Sequence, residues 1–325
     1  MQTRWFKVFL LMAVLICAAL LNLRSGRQKT LVPGMGLPDF FVVVLGIAQD
    51  AGYPQAGCEK ECCAVYWKGK EDKKLVTSLA LVDREAGKYW LIEATPDIGL
   101  QLKNLQQYLP AAPDYSPDGI FISHAHTGHY TGLMEFGREA MGAKNIPVYA
   151  MPRLDTFLRS NGPWSQLVGL ANIRLQTMQE DSAVRLSASL SVIPVRVPHR
   201  DEYSETVGFR VIHGTRKLLF IPDIDKWELW SKNSTEYLKE YDYILIDGTF
   251  YKNGELPGRD MREVPHPFVE ESVRLFSVLP DSVKAKIHFI HFNHTNPLLK
   301  KKSDDKDRVK AAGFGVAEEG MIITL

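Results

Sequence analysis

Three of the chain's nine histidines fall within six positions: His124, His126 and His129, in Gly-Ile-Phe-Ile-Ser-His-Ala-His-Thr-Gly-His-Tyr-Thr-Gly-Leu (119–133). The apolar run before them reads as a strand. At period two His124 and His126 share one side of an extended chain, and His129 reaches back from a helix start. Imidazoles presented at the end of a rigid element make a metal site. Three further residues stand where a strand gives way to a loop: His199 in Val-Pro-His-Arg-Asp-Glu, Asp223 in Phe-Ile-Pro-Asp-Ile-Asp, and His291 in Ile-His-Phe-Ile-His-Phe-Asn-His-Thr-Asn-Pro. Sheets with parallel strands gather sites at such ends, so these residues are expected to converge on one sheet edge. A smaller constellation lies at Gly-Cys-Glu-Lys-Glu-Cys-Cys, holding Cys58, Cys62 and Cys63. Three thiols cannot all pair with one another. They fit either a structural Zn²⁺ site whose fourth ligand comes from elsewhere, or one disulfide plus a free thiol in an oxidising compartment.

The elements that must position these groups follow from the hydrophobic pattern. Strand signals occur at 40–47, 78–82, 88–92, 119–122, 147–150, 190–197, 207–213, 217–221, 243–246 and 287–292, with helical patterns at 132–141, 153–159 and 267–279. Many strands interrupted by helices indicate stacked sheets with helices outside. A chain of 325 residues, 45% hydrophobic, can bury a large core. The net charge of +1 leaves no electrostatic footprint for nucleic acid and suits a small-molecule substrate. At the N-terminus Arg4 and Lys7 precede an apolar run over 8–21, which suits a secretory leader or a retained anchor better than a spanning helix. The expected organisation is a signal peptide or membrane anchor at 1–27, a linker at 28–38 and one domain at 39–325, exported to the periplasm or another extracytoplasmic space. The run at 300–308 reads as a solvated charged stretch. His213 and His288 lie inside strand patterns and read as packed or surface residues, and His266 is not expected to be a ligand.

The ordered set His-x-His-x-x-His, later His, later Asp, last His resembles the metallo-β-lactamase superfamily. That resemblance implies a four-layer αββα sandwich, an α/β fold with one or two metal ions at the sheet edge. The superfamily pattern is His-x-His-x-Asp-His, and here the acid position is Gly128. Over nearly the whole chain after the linker the sequence is similar to the coenzyme PQQ synthesis protein B branch. The marks are Gly46-Ile47-Ala48-Gln49-Asp50-Ala51-Gly52-Tyr53-Pro54-Gln55 followed by cysteines, Glu93-Ala94-Thr95-Pro96-Asp97, His129-Tyr130-Thr131-Gly132-Leu133, Asp247-Gly248-Thr249-Phe250 and His291-Phe292-Asn293-His294-Thr295-Asn296-Pro297. That branch keeps the aspartate and lacks the first two motif histidines, so this chain reads as a sister group.

Carried over residue by residue, the resemblance implies that His124, His126 and His199 hold a first metal, with Asp223 bridging. His129 and His291, sharing Asp223, remain for a second. His294 competes with His291 for the last ligand place. Zn²⁺ suits this donor set, as does Fe²⁺. With glycine at 128 the second site is expected to be weaker or empty. Glu93 is expected to orient a ligand histidine, and Asp247 to buttress the loops or touch substrate. Either Asp223 or Asp50 could act as the base that orients a water, and Asp50 could instead only shape its turn. The favoured activity is a metal-dependent hydrolase of an ester, lactone, amide or phosphodiester. The alternatives are an iron-dependent oxygenase like the PQQ branch and a non-catalytic metal or ligand binder. Specificity would sit in loops at 110–117, 161–165 and 251–264.

Overall fold

The computed structural model describes residues 36–109 and 115–325. The expected leader or anchor, most of the linker and the core of the 110–117 loop lie outside the described residues. Within Leu37–Leu325, one compact unit, fourteen strands form two seven-stranded sheets. The first is built from β1 (Phe40–Gly46), β2 (Ser78–Asp83), β3 (Lys88–Ile92), β4 (Gly119–Phe121), β5 (Ile146–Ala150) and β6 (Ile173–Thr177). The second takes β7 (Val184–Arg185), β8 (Leu190–Arg196), β9 (Val207–His213), β10 (Arg216–Ile221), β11 (Tyr243–Asp247), β12 (Ile287–Ile290) and β13 (Gly315–Val316), while β14 (Ile322–Thr324) returns to the edge of the first beside β1. Each sheet is part antiparallel meander and part parallel. The parallel runs are β3 to β6 and β10 to β13.

Side-chain alternation assigns the layers. In β1, a run of aromatic and β-branched residues, Phe40, Val42 and Val44 join Leu79, Phe121, Phe209 and Phe220 in the core between the sheets. Phe41, Val43 and Leu45 point the other way, into a second core with Ile98, Leu102, Leu154 and Leu158. These last four come from the helices Ile98–Leu105 and Pro152–Ser160, which cover the first sheet. The helices Val269–Phe276 and Asp304–Ala311 bury Val269, Phe276 and Val309 in the core of the second sheet. A strand buried on both faces reads as a continuous apolar run, as β1 does. The architecture is therefore the expected αββα sandwich. Among the described residues no helix is long and apolar enough to cross a membrane.

Two stretches differ from the sequence reading. The expected helix at 132–141 is a short α-helical turn, Thr127–Tyr130, running into a 3₁₀ segment, Thr131–Phe136. Gly137 and Gly142 give the chain little helical preference beyond that point. The charged run near 300–308 enters a helix whose N-terminus is capped by the Ser303 side chain, and it buries Lys306 as well as Val309.

Candidate metal centre

Every residue singled out for the centre sits just beyond, or at, the C-terminal end of a strand: Asp50 after β1, Glu93 after β3, His124, His126 and His129 after β4, His199 after β8, Asp223 after β10, Asp247 closing β11 and His291 after β12. Two backbone stitches bring the sheets' edges together there. Gln49 N–H donates to the Phe292 carbonyl and Phe292 N–H to the Ile47 carbonyl, both at 2.8 Å, so the loop after β1 runs beside the end of β12. The Ala125 N–H donates to Ser204 Oγ at 2.8 Å, tying the histidine loop to the approach of β9.

The residues fall into two adjoining groups. Ring nitrogens of His124, His126 and His199 lie within 4.8 Å of one another. The Nε2 atoms of all three are buried and hydrogen-bond to no protein atom. The second group is Asp50, His129, Asp223 and His291, again with ligand atoms mutually within 4.8 Å. Asp223 stands between the groups: Oδ2 is 3.0 Å from His129 Nε2 and 3.3 Å from His291 Nε2, and Oδ1 is 3.7 Å from His199 Nε2. Gly128 brings no acid, yet the second group is not short of one, because Asp50 Oδ1 lies 2.8 Å from His129 Nε2 and 3.3 Å from His291 Nε2.

Surrounding acids and hydroxyls fix which nitrogen of each ring faces inward. Thr249 Oγ1 donates to Asp247 Oδ1 at 2.7 Å, so toward His291 Nδ1, 3.0 Å away, it can only accept. His291 Nδ1 is thereby the donor to Thr249, and Nε2 is the nitrogen turned to the carboxylates of the centre. Glu93 Oε1 lies 3.3 Å from His129 Nδ1 as an ion-pair partner on the outer side of that ring, leaving Nε2 toward the centre. Asp247 also accepts from Ile224 N–H at 3.1 Å, so it holds the loops after β10 and β11 together. Glu93 and His291 both have left-handed backbones, with φ of 78° and 68°. Non-glycine residues adopt that conformation at a cost, and here it turns both side chains into the site.

Electrostatics separate the two groups. Burial pushes His124 well below the ordinary imidazole range and His199 down to about 4, so both are neutral donors. Burial also disfavours a charge on His129, but Glu93 and Asp50 outweigh it and hold that ring well above the usual value. For Asp50, burial raises the carboxyl, and the charge of His129 together with hydrogen bonds from His129 and His291 overcomes it and holds it well below.

Two histidines are placed otherwise than the sequence suggested. His294 belongs not to this centre but to the cysteines, where it groups with Cys58, Cys62 and Cys63. Its Nδ1 donates to Asn293 Oδ1 at 2.9 Å, leaving Nε2 for a ligand role. The three cysteines are free in this structure, with the Cys58 and Cys62 sulfurs 3.7 Å apart, beyond disulfide bonding distance. His266, not expected as a ligand, lies with His199 and Asp223, its Nδ1 3.6 Å from Asp223 Oδ1 and 2.7 Å from Asp247 Oδ2. Its only sequence signal is a histidine between two prolines ahead of a helix. His213 and His288 lie in strands away from the centre.

Two seven-stranded sheets packed face to face, with a histidine and aspartate cluster at their shared edge, define a metallo-β-lactamase-type fold. The family model described as the Beta-lactamase superfamily domain matches residues 89–291, and the chain belongs to that family. Within it the chain is similar to coenzyme PQQ synthesis protein B of Methylorubrum populi, 25% identical over 87% of this chain and 99% of that protein. The crystal structure of Zn²⁺-bound PqqB from Methylobacterium extorquens superposes with a TM-score of 0.74 at 22% identity, covering 88% of this chain and all of that one. A diphosphatase from the PhnP family superposes at 0.61 with 23% identity, over 88% of this chain and 98% of that one.

Proposed function

We propose that this protein is a metal-dependent hydrolase of small anionic esters, phosphodiesters foremost, acting at the joint edge of its two sheets. The observation that carries the reading is the trio of buried, unpartnered Nε2 atoms on His124, His126 and His199. Buried polar atoms without hydrogen bonds are costly, and a cation taking their lone pairs removes that cost. In this reading those three rings hold one ion, His129 and His291 serve a second, Asp223 lies between, and the cysteines with His294 hold a structural Zn²⁺. When bound, a Zn²⁺ ion lowers the pKa of water and polarises the oxygen of the scissile group.

The chain's own residues supply positioning and protons. Glu93 and Thr249 hold His129 and His291 with Nε2 inward. His266, anchored by Asp247, lines a cavity of about 330 Å³ beside the centre and is set to give a proton to the leaving oxygen. Arg200 and Arg259 line the same cavity, and with Glu263 on its wall they leave a positive rim that suits an anionic substrate. The apolar run over 8–21 supports placing this activity outside the cytoplasm.

A second reading is favoured by the similarity to coenzyme PQQ synthesis protein B across nearly that protein's full length. It makes the centre an iron site for oxygenation in cofactor assembly. The deciding experiment loads the full chain with Zn²⁺, Mn²⁺ or, anaerobically, Fe²⁺ and follows bis-(p-nitrophenyl) phosphate hydrolysis and oxygen uptake. Phosphodiester turnover abolished by His126→Ala supports the hydrolase. Oxygen uptake by the iron form without hydrolysis moves the assignment to the second reading, and a metal-replete sample inert in both assays leaves a binding protein.

A further inference from the structure

Asp50 sits seventy-odd residues before the histidine motif, on a turn after β1, yet its carboxylate occupies the space that a side chain at 128 would fill. A Cβ built on Gly128 would lie 2.4 Å from Asp50 Cα and 2.7 Å from both Asp50 Cβ and Oδ1. Real Cβ atoms do not approach so closely, so glycine at 128 and the inward course of the Asp50 loop are a matched pair. Asp50 makes no use of its carboxylate in forming its own turn. That turn is closed by Gly52 N–H to the Gln49 carbonyl at 2.7 Å, with Gly52 at φ +70°. Both hydrogen bonds of the carboxylate go instead to His129 and His291.

We infer that Asp50 is the relocated acid of the centre: the carboxylate ligand that the motif position 128 no longer provides comes from the first loop, and it completes a second cation site with His129, His291 and Asp223. The inference rests on the metal-centre reading above but not on which reaction is catalysed. Three features position the group. The stitches of Gln49 and Phe292 fix the loop against the end of β12. Gly128 lets the loop backbone close over the helical turn that carries His129. Glu93 and Thr249 hold the two imidazoles so that each turns Nε2 toward Asp50 Oδ1. A carboxylate delivered this way reaches the ion from the opening of the site, not from the strand that carries the histidines.

The test uses Mn²⁺, which oxygen and nitrogen ligands hold and the thiolate cluster disfavours, so that the centre is counted separately from the cysteines. Mn²⁺ binding to the full chain is followed by electron paramagnetic resonance, which reports both the number of ions and their magnetic coupling across Asp223. The expected result is two coupled ions in the unmodified protein. In Asp50→Asn, isosteric and checked for fold by circular dichroism, the second ion binds at least about a hundred-fold more weakly and the coupling signal disappears. Gly128→Ala removes no ligand, yet it is expected to lose the second ion too, because the added methyl expels the Asp50 loop. An Asp50→Asn protein that keeps two coupled ions with unchanged affinity overturns the assignment, as does an unmodified protein that takes up only one. An unmodified protein that binds no Mn²⁺, Zn²⁺ or Fe²⁺ at the histidines refutes the metal-centre reading itself.

Discussion

Removing the histidine of the cysteine cluster separates a structural metal from a catalytic one. In a tetrahedral site with Zn–S bonds of about 2.3 Å, neighbouring sulfurs are about 3.8 Å apart, and Cys58 and Cys62 stand at 3.7 Å. In the metal-free chain burial pushes the Cys63 thiol up to about 12 and raises Cys62, whereas at Cys58 burial is outweighed by the hydrogen bonds from Cys63 and the Lys60 N–H, which lower the thiol. A bound ion would tie the helix Glu61–Trp67 to the loop after β12, closing a loop of roughly 230 residues between Cys63 and His294. Treated as a cross-link, that closure contributes up to about 5 kcal/mol. For a domain of about 290 residues, whose unfolding entropy is about 0.6 kcal/mol per kelvin, this corresponds to a fall in Tm of about 8 °C. The figure is an upper limit, because Tyr53 Oη already bonds the Cys62 carbonyl at 3.0 Å and Trp67 Nε1 the Cys58 carbonyl at 2.9 Å. His294→Ala is therefore expected to lose one zinc equivalent, to melt several degrees lower, and to keep the ions at His124, His126 and His199. The assays are elemental analysis, calorimetry with and without chelator, and the thiolate-to-cobalt charge-transfer band of the Co²⁺-substituted protein. A variant with full metal content and an unshifted melt would refute the argument.

Other outcomes follow from the same geometry. Glu93→Gln keeps a hydrogen-bond acceptor beside His129 but loses the charge, and is expected to weaken metal binding about ten-fold in a competition titration with a chromophoric chelator. His266→Ala should leave metal content unchanged and slow phosphodiesters with poor leaving groups by about a hundred-fold, while p-nitrophenyl esters, which need little acid assistance, change far less. An equal loss on both substrates would remove His266 from the proton-donor role. Gly132→Ala places a methyl 2.1 Å from the Thr95 carbonyl oxygen, and chemical denaturation should show a loss of about 3 kcal/mol. A variant as stable as the parent would mean that the β3 loop yields freely.

How much of this was legible in sequence depends on what each signal encodes. Buried strands were readable because two-sided burial leaves unbroken apolar runs, as in β1 and β10. Short edge strands such as β7 and β13, two residues each, carry no periodicity to read. The ligand strand ends were legible because each histidine or aspartate directly follows an apolar run. What spacing could not convey is proximity across the fold. His294 sits three residues from His291, but the left-handed backbone at His291 turns that ring inward while the chain carries His294 on to the cysteines. Asp50 and Gly128 illustrate the same limit in reverse, since a linear motif records the loss of an acid at one position and is blind to a carboxylate arriving from another loop.

The two halves of the centre differ in chemical character, and the difference follows from which loops feed them. His124, His126 and His199 form a group whose rings burial holds toward the neutral form, the kind of donor set that suits Zn²⁺. Around His129 the chain gathers Glu93, Asp50 and Asp223, three carboxylates for one imidazole. A buried excess of negative charge is tolerable only when a positive charge accompanies it. In the metal-free chain a proton on His129 is that charge, which is why this ring, unlike His124, is held well above its ordinary value despite equal burial. The proton stands where a cation's field is wanted. An oxygen-rich second position beside an imidazole-rich first one favours a harder ion such as Mn²⁺ or Fe²⁺ in the former and Zn²⁺ in the latter, so the loss of the acid at 128 has altered the route by which charge reaches the centre without making it neutral.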